Sequence, residues 1–405
     1  MVKVLRSWVC GPLESYVAGF VEDLAAQGYR RCSAEQHVCF IAHLDRWMLA
    51  QHLEAGDLGG AVVDRYLTER RAGGYVNYRS SKAMRPLLDY LAAHGVLAPE
   101  DDAGGPVEGL LERYRCYLVG ERGLTAGTAR CYLDAIRPFV ASRLRGDQLE
   151  LAGLTAAEVS GFVLATCPGR ATGTAKLIVT SLRSVLSFLH VEGLIPIPLT
   201  AAVPSVAGWR LVGLPQGLEP WQVRRLLASC DRRRARGRRD YAIVVLLSRL
   251  GLRAGEVAAL ELEDVDWRAG QIVVHGKGHR DERLPLPDDV GAAIAGYLRR
   301  GRPGTDQPRN VFVRAKAPHR GLTTAGVSGV VYDAAQRAGL GTIHAHRLRH
   351  TAATTMLRSG TPLPEVGLVL RHRRALTTAL YAKVDRDALR VLARPWPQPM
   401  TGGVS

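Results

Sequence analysis

Hydrophobic residues recur every three or four positions through the first 200 residues, which is the spacing of one buried face of an α-helix. The pattern occurs in two similar stretches, residues 10–97 and 107–195, and each closes on an apolar segment that ends at a glycine. We therefore predict two helical bundles joined by the turn-rich segment 98–106. An internal duplication explains their similarity, and a chance likeness between two helical bundles is the alternative.

Capping signals suggest where helices begin and end within the two stretches. Gly95 and Gly193 stand where a closing helix favours a residue in the left-handed conformation. Ser33 and Thr125 each precede an inner amphipathic segment, and a hydroxyl at that position can accept a hydrogen bond from the first turn of a helix. These four residues predict matching helix ends in the two bundles.

The pattern of hydrophobic and polar residues changes after residues 196–218. This segment is rich in proline and glycine, and we interpret it as a linker. Beyond it, helices are predicted at residues 219–230 and 238–250. Alternating β-branched residues around a polar turn then predict a β-hairpin, formed by residues 270–276 and 282–287. This part of the chain should therefore combine helices with a small amount of strand.

The last part of the chain supports the same fold class. Residues 310–315 predict a third strand, and the apolar spacing is helical again from Thr323 onward. We expect a mainly α protein with a small β-hairpin or sheet, in which an α+β domain at residues 219–394 is followed by an extended tail at residues 395–405.

Composition narrows the class of partner. The 405 residues carry a formal charge of +16 and the pI is near 9.9, a balance that attracts polyanions such as nucleic acids. The longest apolar run, residues 241–247, is far below the roughly 20 residues of a membrane span. No signal peptide is evident at the N-terminus, so we expect a cytoplasmic protein without a membrane partner.

Basic residues are densest in the segment 231–240, where we predict contact with the phosphate backbone of DNA. A solvated loop is the alternative. The arginines concerned are Arg232, Arg233, Arg234, Arg236, Arg238 and Arg239.

Four segments of the C-terminal half carry polar residues suited to phosphoryl transfer. They contain, in chain order, Arg253 and Glu256, then Lys277, then His346 and Arg349, and finally His372 and Tyr381. Each segment alone could arise by chance, but four such segments in this order and at these intervals are far more specific than any one of them.

These segments resemble the motif boxes of the tyrosine recombinases, the family of phage integrases and bacterial Xer proteins. The resemblance is strong over residues 219–387. Residues 107–195 look more loosely like the helical, SAM-like core-binding domain of the family, and residues 10–97 look like a second copy of it. The resemblance implies a site-specific recombinase that breaks and rejoins DNA without a metal or other cofactor.

The family's boxes imply a role for each matched residue. Arg253 and Arg349 match the two arginines that clamp the scissile phosphate, and an arginine fork suits two phosphate oxygens because it keeps its charge. His346 is expected to assist proton transfer from the nucleophile Tyr381, and His372 to donate to a non-bridging oxygen. The attack would give a 3′-phosphotyrosyl link and a free 5′-hydroxyl.

Two further residues support this assignment. Lys277 is one of only six lysines in a chain that strongly favours arginine, and a lysine can release the proton that the leaving oxygen needs. A surface lysine in a hairpin turn is the alternative. Glu256 is expected to orient His346 or Arg253, with an ordinary salt bridge on a helix surface as its alternative.

One residue departs from the family pattern. Arg371 precedes His372 where the family usually has glycine, which suits a tight turn between helices. We expect either that Arg371 reaches the DNA or that the turn differs. His346 and His350 also have the spacing of metal ligands on one helix, but no third ligand is evident and no metal is expected.

The resemblance also implies the partners. We expect double-stranded DNA with inverted-repeat core sites and four protomers on that DNA, as a homotetramer or as a hetero-tetramer with related recombinases. The extra N-terminal bundle favours a recombinase of a mobile element or prophage. A type IB topoisomerase that relaxes supercoils, and a DNA-binding accessory protein that has lost catalysis, are the alternatives.

Overall fold

The computed structural model describes residues 9–97, 105–207, 217–276, 280–304 and 309–371. They form two compact units. One unit contains residues 10–13 and those from 44 to the linker, and the other contains residues 14–43 together with the C-terminal half. Within the described residues, no helix is long and apolar enough to cross a membrane.

The N-terminal half is helical, as its apolar spacing predicted. Its helices are α1 (Val17–Ala26), α2 (Arg31–Ala50), α3 (Gly60–Ala72), α4 (Ser81–Ala93), α5 (Pro106–Cys116), α6 (Ala126–Ala141), α7 (Ala156–Thr166) and α8 (Thr172–Val191). A short antiparallel pair, β1 (Leu144–Arg145) and β2 (Gln148–Leu149), follows α6. The duplication remains a prediction.

Most of the capping signals identified helix ends correctly. Gly95 and Gly193 both adopt a φ of +69° just beyond α4 and α8, a conformation that glycine reaches without steric cost. Thr125 caps α6, since its hydroxyl accepts from the backbone N–H of Thr128 at 3.3 Å. The prediction for Ser33 was wrong, because α2 already begins at Arg31.

Residues 106–203 enclose a core of their own. Aromatic rings form its centre, where Tyr114 lies 5.2 Å from Phe188 and Phe139 lies 5.1 Å from Phe162, measured between ring centroids. Side chains of α5, α6 and α8 complete the core. Burial of these apolar faces is the main force that stabilises such a bundle.

The C-terminal half combines helices with a three-stranded antiparallel sheet. The helices are α9 (Pro220–Ala228), α10 (Ala235–Arg249), α11 (Ala254–Ala259), α12 (Asp288–Arg300), α13 (Thr324–Arg337), α14 (Ala345–Arg358) and α15 (Leu363–Val369). The sheet has the order β3 (Val265–Asp266), β4 (Gln271–Gly276) and β5 (Arg280–Pro285). The predicted hairpin is β4 with β5, in a register that pairs Ile272 with Leu284 and His275 with Asp281.

The predicted strand at residues 310–315 was wrong. These residues form only the isolated bridges Glu261–Asn310 and Val313–Gly321, and the third strand of the sheet is β3. Val311, Phe312 and Val313 are fully buried, so their apolar run reflects burial in the domain core and not a place in the sheet.

Helix α10 runs through the centre of this domain. Residues 242–247 are consecutive and all buried, so the helix is covered on every side. It packs against α12, α13 and α14. The turn that follows α10 therefore starts from a fixed position beside α14, and this turn carries the first predicted catalytic residue.

Candidate active site

Gly251 shapes the turn between α10 and α11. It adopts a φ of +59°, and a Cβ at this position would lie 2.6 Å from Cδ2 of Leu370. Only glycine allows this conformation and this close approach together. The turn consequently brings Arg253, at the start of α11, next to the segment that follows α15.

Arg349 lies on α14 and is 1% exposed. Its Nη1 donates to the carbonyl oxygen of Gly251 at 2.6 Å, and its Nη2 donates to the carbonyl oxygen of Leu370. One guanidinium thus links the end of α10 to the end of α15. These two bonds fix the orientation of the side chain.

Arg253 is held by Glu256. The Oε1 of Glu256 accepts from Arg253 Nη1 at 2.6 Å, and its Oε2 accepts from the backbone N–H of Arg253 at 2.8 Å. The Arg253 Nη2 also donates to the carbonyl oxygen of Arg371 at 3.2 Å. The Arg253 side chain remains 44% exposed, so a charge fixed from one side faces solvent on the other.

The partners of Glu256 keep it ionised. Burial by itself would raise the pKa of Glu256, but the backbone hydrogen bond from Arg253 and the charges of Arg371 and Arg253 outweigh it and lower the pKa. Of the two expected partners of Glu256, the structure brings it to Arg253.

Arg371 occupies an unusual position. Its φ is +55°, its side chain is 3% exposed, and its Nη2 donates to Oε2 of Glu256 at 2.7 Å. The turn therefore retains the left-handed geometry that a glycine would supply, with an arginine in its place. Because the guanidinium is buried against a carboxylate, it is not presented to DNA.

His346 and His350 lie one helical turn apart on α14, with ring centroids 4.4 Å apart and ring planes at 75°. Burial first, and then the charges of Arg349 and Arg253, lower the pKa of His346 below its ordinary value. Burial, with the neighbouring His346 and Arg349, lowers the pKa of His350 to about 4. Both rings are consequently neutral at pH 7, and a neutral imidazole can accept a proton.

Sequence reasoning missed a histidine on the hairpin. His275 on β4 is hydrogen-bonded through Nδ1 to Asp281 at 2.7 Å and through Nε2 to Asp264 at 2.8 Å. The bonds to Asp281 and Asp264 raise the pKa of His275. The sequence prediction placed Asp281 in the hairpin turn, whereas the observed register pairs it with His275. The contact with Asp264 connects the hairpin to the segment before β3. His275 precedes Lys277 by two positions in the chain.

Three of the predicted catalytic residues, Lys277, His372 and Tyr381, lie outside the described residues. Their positions in the chain are nevertheless informative. Lys277 directly follows β4, and His372 directly follows Arg371, whose carbonyl oxygen accepts from Arg253. The structure thus brings together Arg253, Glu256, His346 and Arg349, while the catalytic roles of all these residues stay predictions.

The arginine-rich segment divides into exposed and buried members. Arg233 and Arg234 have side chains that are 93% and 84% exposed and pair with Asp231, and Arg236 pairs with Asp333. Arg232 stacks over Tyr241, and Arg238 donates to the carbonyl oxygen of Arg300. Arg239 differs, because it is buried and its donors bind Asp240 and the carbonyl oxygen of Val313.

Similar proteins share both the sequence and the fold of this chain. The model of the phage integrase family matches residues 216–387. A Sinorhizobium fredii protein named as an integrase/recombinase, y4rA, is 41% identical over 393 residues, which cover 96% of this chain and 95% of that protein. The tyrosine recombinase XerD of Listeria monocytogenes is 30% identical over 292 residues, which cover 69% of this chain and 96% of XerD.

Solved structures show the same fold at lower identity. XerH recombinase bound to palindromic difH, in a post-cleavage complex, is similar with a TM-score of 0.54 and 17% identity, over 82% of this chain and 93% of XerH. A lambda integrase tetramer bound to a Holliday junction gives a TM-score of 0.53 and 16% identity, over 81% of this chain and 91% of that integrase. The helices and the small antiparallel sheet therefore form a recombinase fold, which confirms the predicted fold class.

The fold and these identities lead to one class of protein, the enzymes that cleave and rejoin DNA strands. The chain belongs to the phage integrase family of tyrosine recombinases. The family and the enzyme class predicted from the four sequence segments are thus confirmed.

Proposed function

We propose that this chain is a site-specific recombinase in which Tyr381 attacks the scissile phosphate. The observation that carries the proposal is the convergence of Arg253 and Arg349 on the carbonyl oxygens of Leu370 and Arg371. These two residues immediately precede His372 in a chain that reaches Tyr381 nine residues later. The two fixed cations and the proposed nucleophile are therefore joined by a short segment.

The arginine pair suits the charge that develops during the reaction. Attack on a phosphodiester adds negative charge to the non-bridging oxygens, and preorganised donors stabilise that charge more than they stabilise the ground state. Arg349 is buried and oriented, and Arg253 is oriented by Glu256 while 44% of its side chain stays exposed. We assign both to the binding of the phosphate oxygens, Arg253 because part of its side chain is exposed, and Arg349 because it matches the second phosphate-clamping arginine of the family.

Proton transfer completes the reaction. The Tyr381 hydroxyl, with an ordinary pKa of about 10, must lose its proton, and neutral His346 is the proposed acceptor. Lys277 is proposed to give a proton to the leaving 5′-oxygen, and His372 to donate to a non-bridging oxygen. The phosphorus gains a bond to the tyrosine oxygen and loses its bond to the 5′-oxygen, so the 3′-phosphotyrosyl link retains the energy needed for rejoining.

The proposed substrate is double-stranded DNA that carries inverted-repeat core sites. The net charge of +16 and the exposed arginines of residues 231–238 support binding to the phosphate backbone. Similar proteins have been solved on DNA, one as a tetramer on a Holliday junction. We therefore propose four protomers on two sites, either identical or shared with related recombinases.

The N-terminal part of the chain supports a mobile element or prophage as the setting. The XerD match leaves nearly a third of this chain uncovered, whereas the match to the integrase/recombinase y4rA covers almost all of it. We propose that the enzyme serves integration or transposition.

The test uses sites selected from random duplex DNA by noncovalent binding to Tyr381→Phe. A nicked suicide duplex with such a site should form a covalent adduct with wild-type protein and none with Tyr381→Phe. Tyr332→Phe is the matched control. It should retain the adduct, because Tyr332 lies on α13 and has no role in the proposed reaction. An adduct with Tyr381→Phe would assign the nucleophile elsewhere. Relaxation of any supercoiled plasmid without site preference would instead indicate a topoisomerase.

A further inference from the structure

Arg371 is kept at a position that costs free energy in two ways. A non-glycine residue with a φ of +55° is conformationally unfavourable. Burial of a guanidinium also carries a desolvation penalty, here with a side chain that is 3% exposed and an Nε that finds no acceptor among the described residues. Glycine would avoid both costs, so the side chain must contribute an interaction that glycine lacks.

That interaction is with Glu256, the residue that orients Arg253. The carboxylate divides its oxygens, since Oε1 accepts from Arg253 Nη1 at 2.6 Å and Oε2 accepts from Arg371 Nη2 at 2.7 Å. With one cation, the pair of Arg253 and Glu256 would be neutral. With Arg371 as the second cation, the cluster has a net charge of +1.

The charge balance matters because of what Arg253 is proposed to do. A carboxylate that fully neutralises Arg253 weakens the attraction between this arginine and a phosphate. A carboxylate shared with a buried second arginine still fixes the geometry of Arg253, but cancels less of its positive potential. The backbone of Arg371 also helps to orient Arg253, since its carbonyl oxygen accepts from Arg253 Nη2 at 3.2 Å.

We propose that Arg371 is a positioning residue of the phosphate-binding cluster, acting through Glu256 to orient Arg253 and to keep its charge available to the scissile phosphate. This inference rests on the proposed function, because it requires that Arg253 bind that phosphate. The side chain of Arg371 touches neither DNA nor the reacting atoms. Its position in the left-handed turn aims its guanidinium at Glu256 and its carbonyl oxygen at Arg253.

The test measures single-turnover adduct formation on the nicked suicide duplex, noncovalent affinity for the unnicked duplex, and the thermal midpoint. Arg371→Met removes the charge and keeps a side chain at this backbone conformation, whereas Arg371→Lys keeps the charge. Arg358→Met is the matched control, since Arg358 is the last residue of α14 and forms an exposed pair with Glu219. It should behave as wild type in all three measurements.

We expect Arg371→Met to lower the rate of adduct formation by about 10- to 100-fold, the scale of a misplaced phosphate donor. Noncovalent affinity should change by less than about threefold, because the contact is internal, and Arg371→Lys should recover at least about tenfold of the lost rate. In a Glu256→Gln background, where no carboxylate charge remains to be shared, Arg371→Met should cost less than about threefold.

Other outcomes overturn the inference. Equal losses from Arg371→Met with and without Glu256→Gln show that the two side chains act independently. A loss of noncovalent affinity together with a weaker salt dependence shows direct contact with DNA. If Arg371→Met forms the adduct at the wild-type rate, the inference is overturned and the proposed function stands. If the wild-type protein forms no adduct, the proposed function is overturned as well.

Discussion

The arginines of the phosphate-binding cluster and those of residues 231–240 are alike in sequence but lie in opposite environments. Arg349 and Arg371 are buried, and their donors bind backbone carbonyl oxygens and Glu256. Arg233 and Arg234 are 93% and 84% exposed and pair with Asp231. The first group is held in fixed geometry beside the proposed reaction site, whereas the second presents its charge to solvent. A fixed donor can discriminate a transition state, and a mobile one can supply only general attraction to a polyanion.

The largest effect should follow from a change to the most constrained cation. Arg349→Lys keeps the charge but cannot reproduce the fork that joins the carbonyl oxygens of Gly251 and Leu370. We expect adduct formation on the suicide duplex to fall by about 10²- to 10³-fold, as when one preorganised donor is lost. A rate within threefold of wild type would show that the charge alone suffices and that the geometry is dispensable.

The next effect sharpens the contrast within the arginine-rich segment itself. Arg239→Met removes the principal partner of buried Asp240 and should lower the free energy of unfolding by about 3 kcal/mol, measured by urea denaturation. Arg234→Met should change the same free energy by less than about 0.5 kcal/mol, because its pair with Asp231 is exposed. Equal losses from the two variants would show that burial does not separate these arginines.

The pH dependence of cleavage tests the buried environment of His346. Burial and the neighbouring arginine charges lower its pKa, so protonation of the ring is displaced to pH values below the ordinary histidine pKa of about 6.5. The acid limb of single-turnover adduct formation should therefore have its midpoint below pH 6.5. The acid limb should be lost in His346→Gln. An acid limb centred above pH 6.5 would contradict the proposed role.

The smallest effect concerns general attraction to DNA. Arg234→Met should reduce noncovalent affinity only slightly and should reduce the slope of log affinity against log salt by about 0.9, the loss of one phosphate contact. Arg239→Met should leave this slope unchanged while the protein is folded, because its donors are used internally. An unchanged slope for Arg234→Met would place the DNA elsewhere on the surface.

These contrasts explain how far the sequence could predict the molecule. Regular apolar spacing identified the helices, and the alternation in residues 270–276 identified the hairpin, because both patterns reflect one buried face. Residues 310–315 were misread since a fully buried irregular segment has the same composition as a buried strand. Spacing also grouped Arg253 with Glu256, which are three residues apart on one helix.

The contacts that spacing could not predict join residues far apart in the chain. The pair of Glu256 and Arg371 spans 115 positions, and the bond from Arg349 to Gly251 spans 98. Nothing in the sequence distinguishes buried Arg239 from exposed Arg234, because burial depends on how α10 packs in the complete domain. The sequence therefore predicted the chemical types of the site, and the fold supplied the partners that orient them.

The central claim is that Tyr381 becomes covalently linked to DNA, and peptide mapping of the trapped adduct tests it most directly. Tryptic cleavage after Arg374 and Lys383 gives a peptide, residues 375–383, in which Tyr381 is the only tyrosine. The account predicts that mass spectrometry finds a nucleotide joined through its 3′-phosphate to Tyr381. A nucleotide on Thr377, on Thr378 or on any other peptide, or a link through a 5′-phosphate, would contradict it.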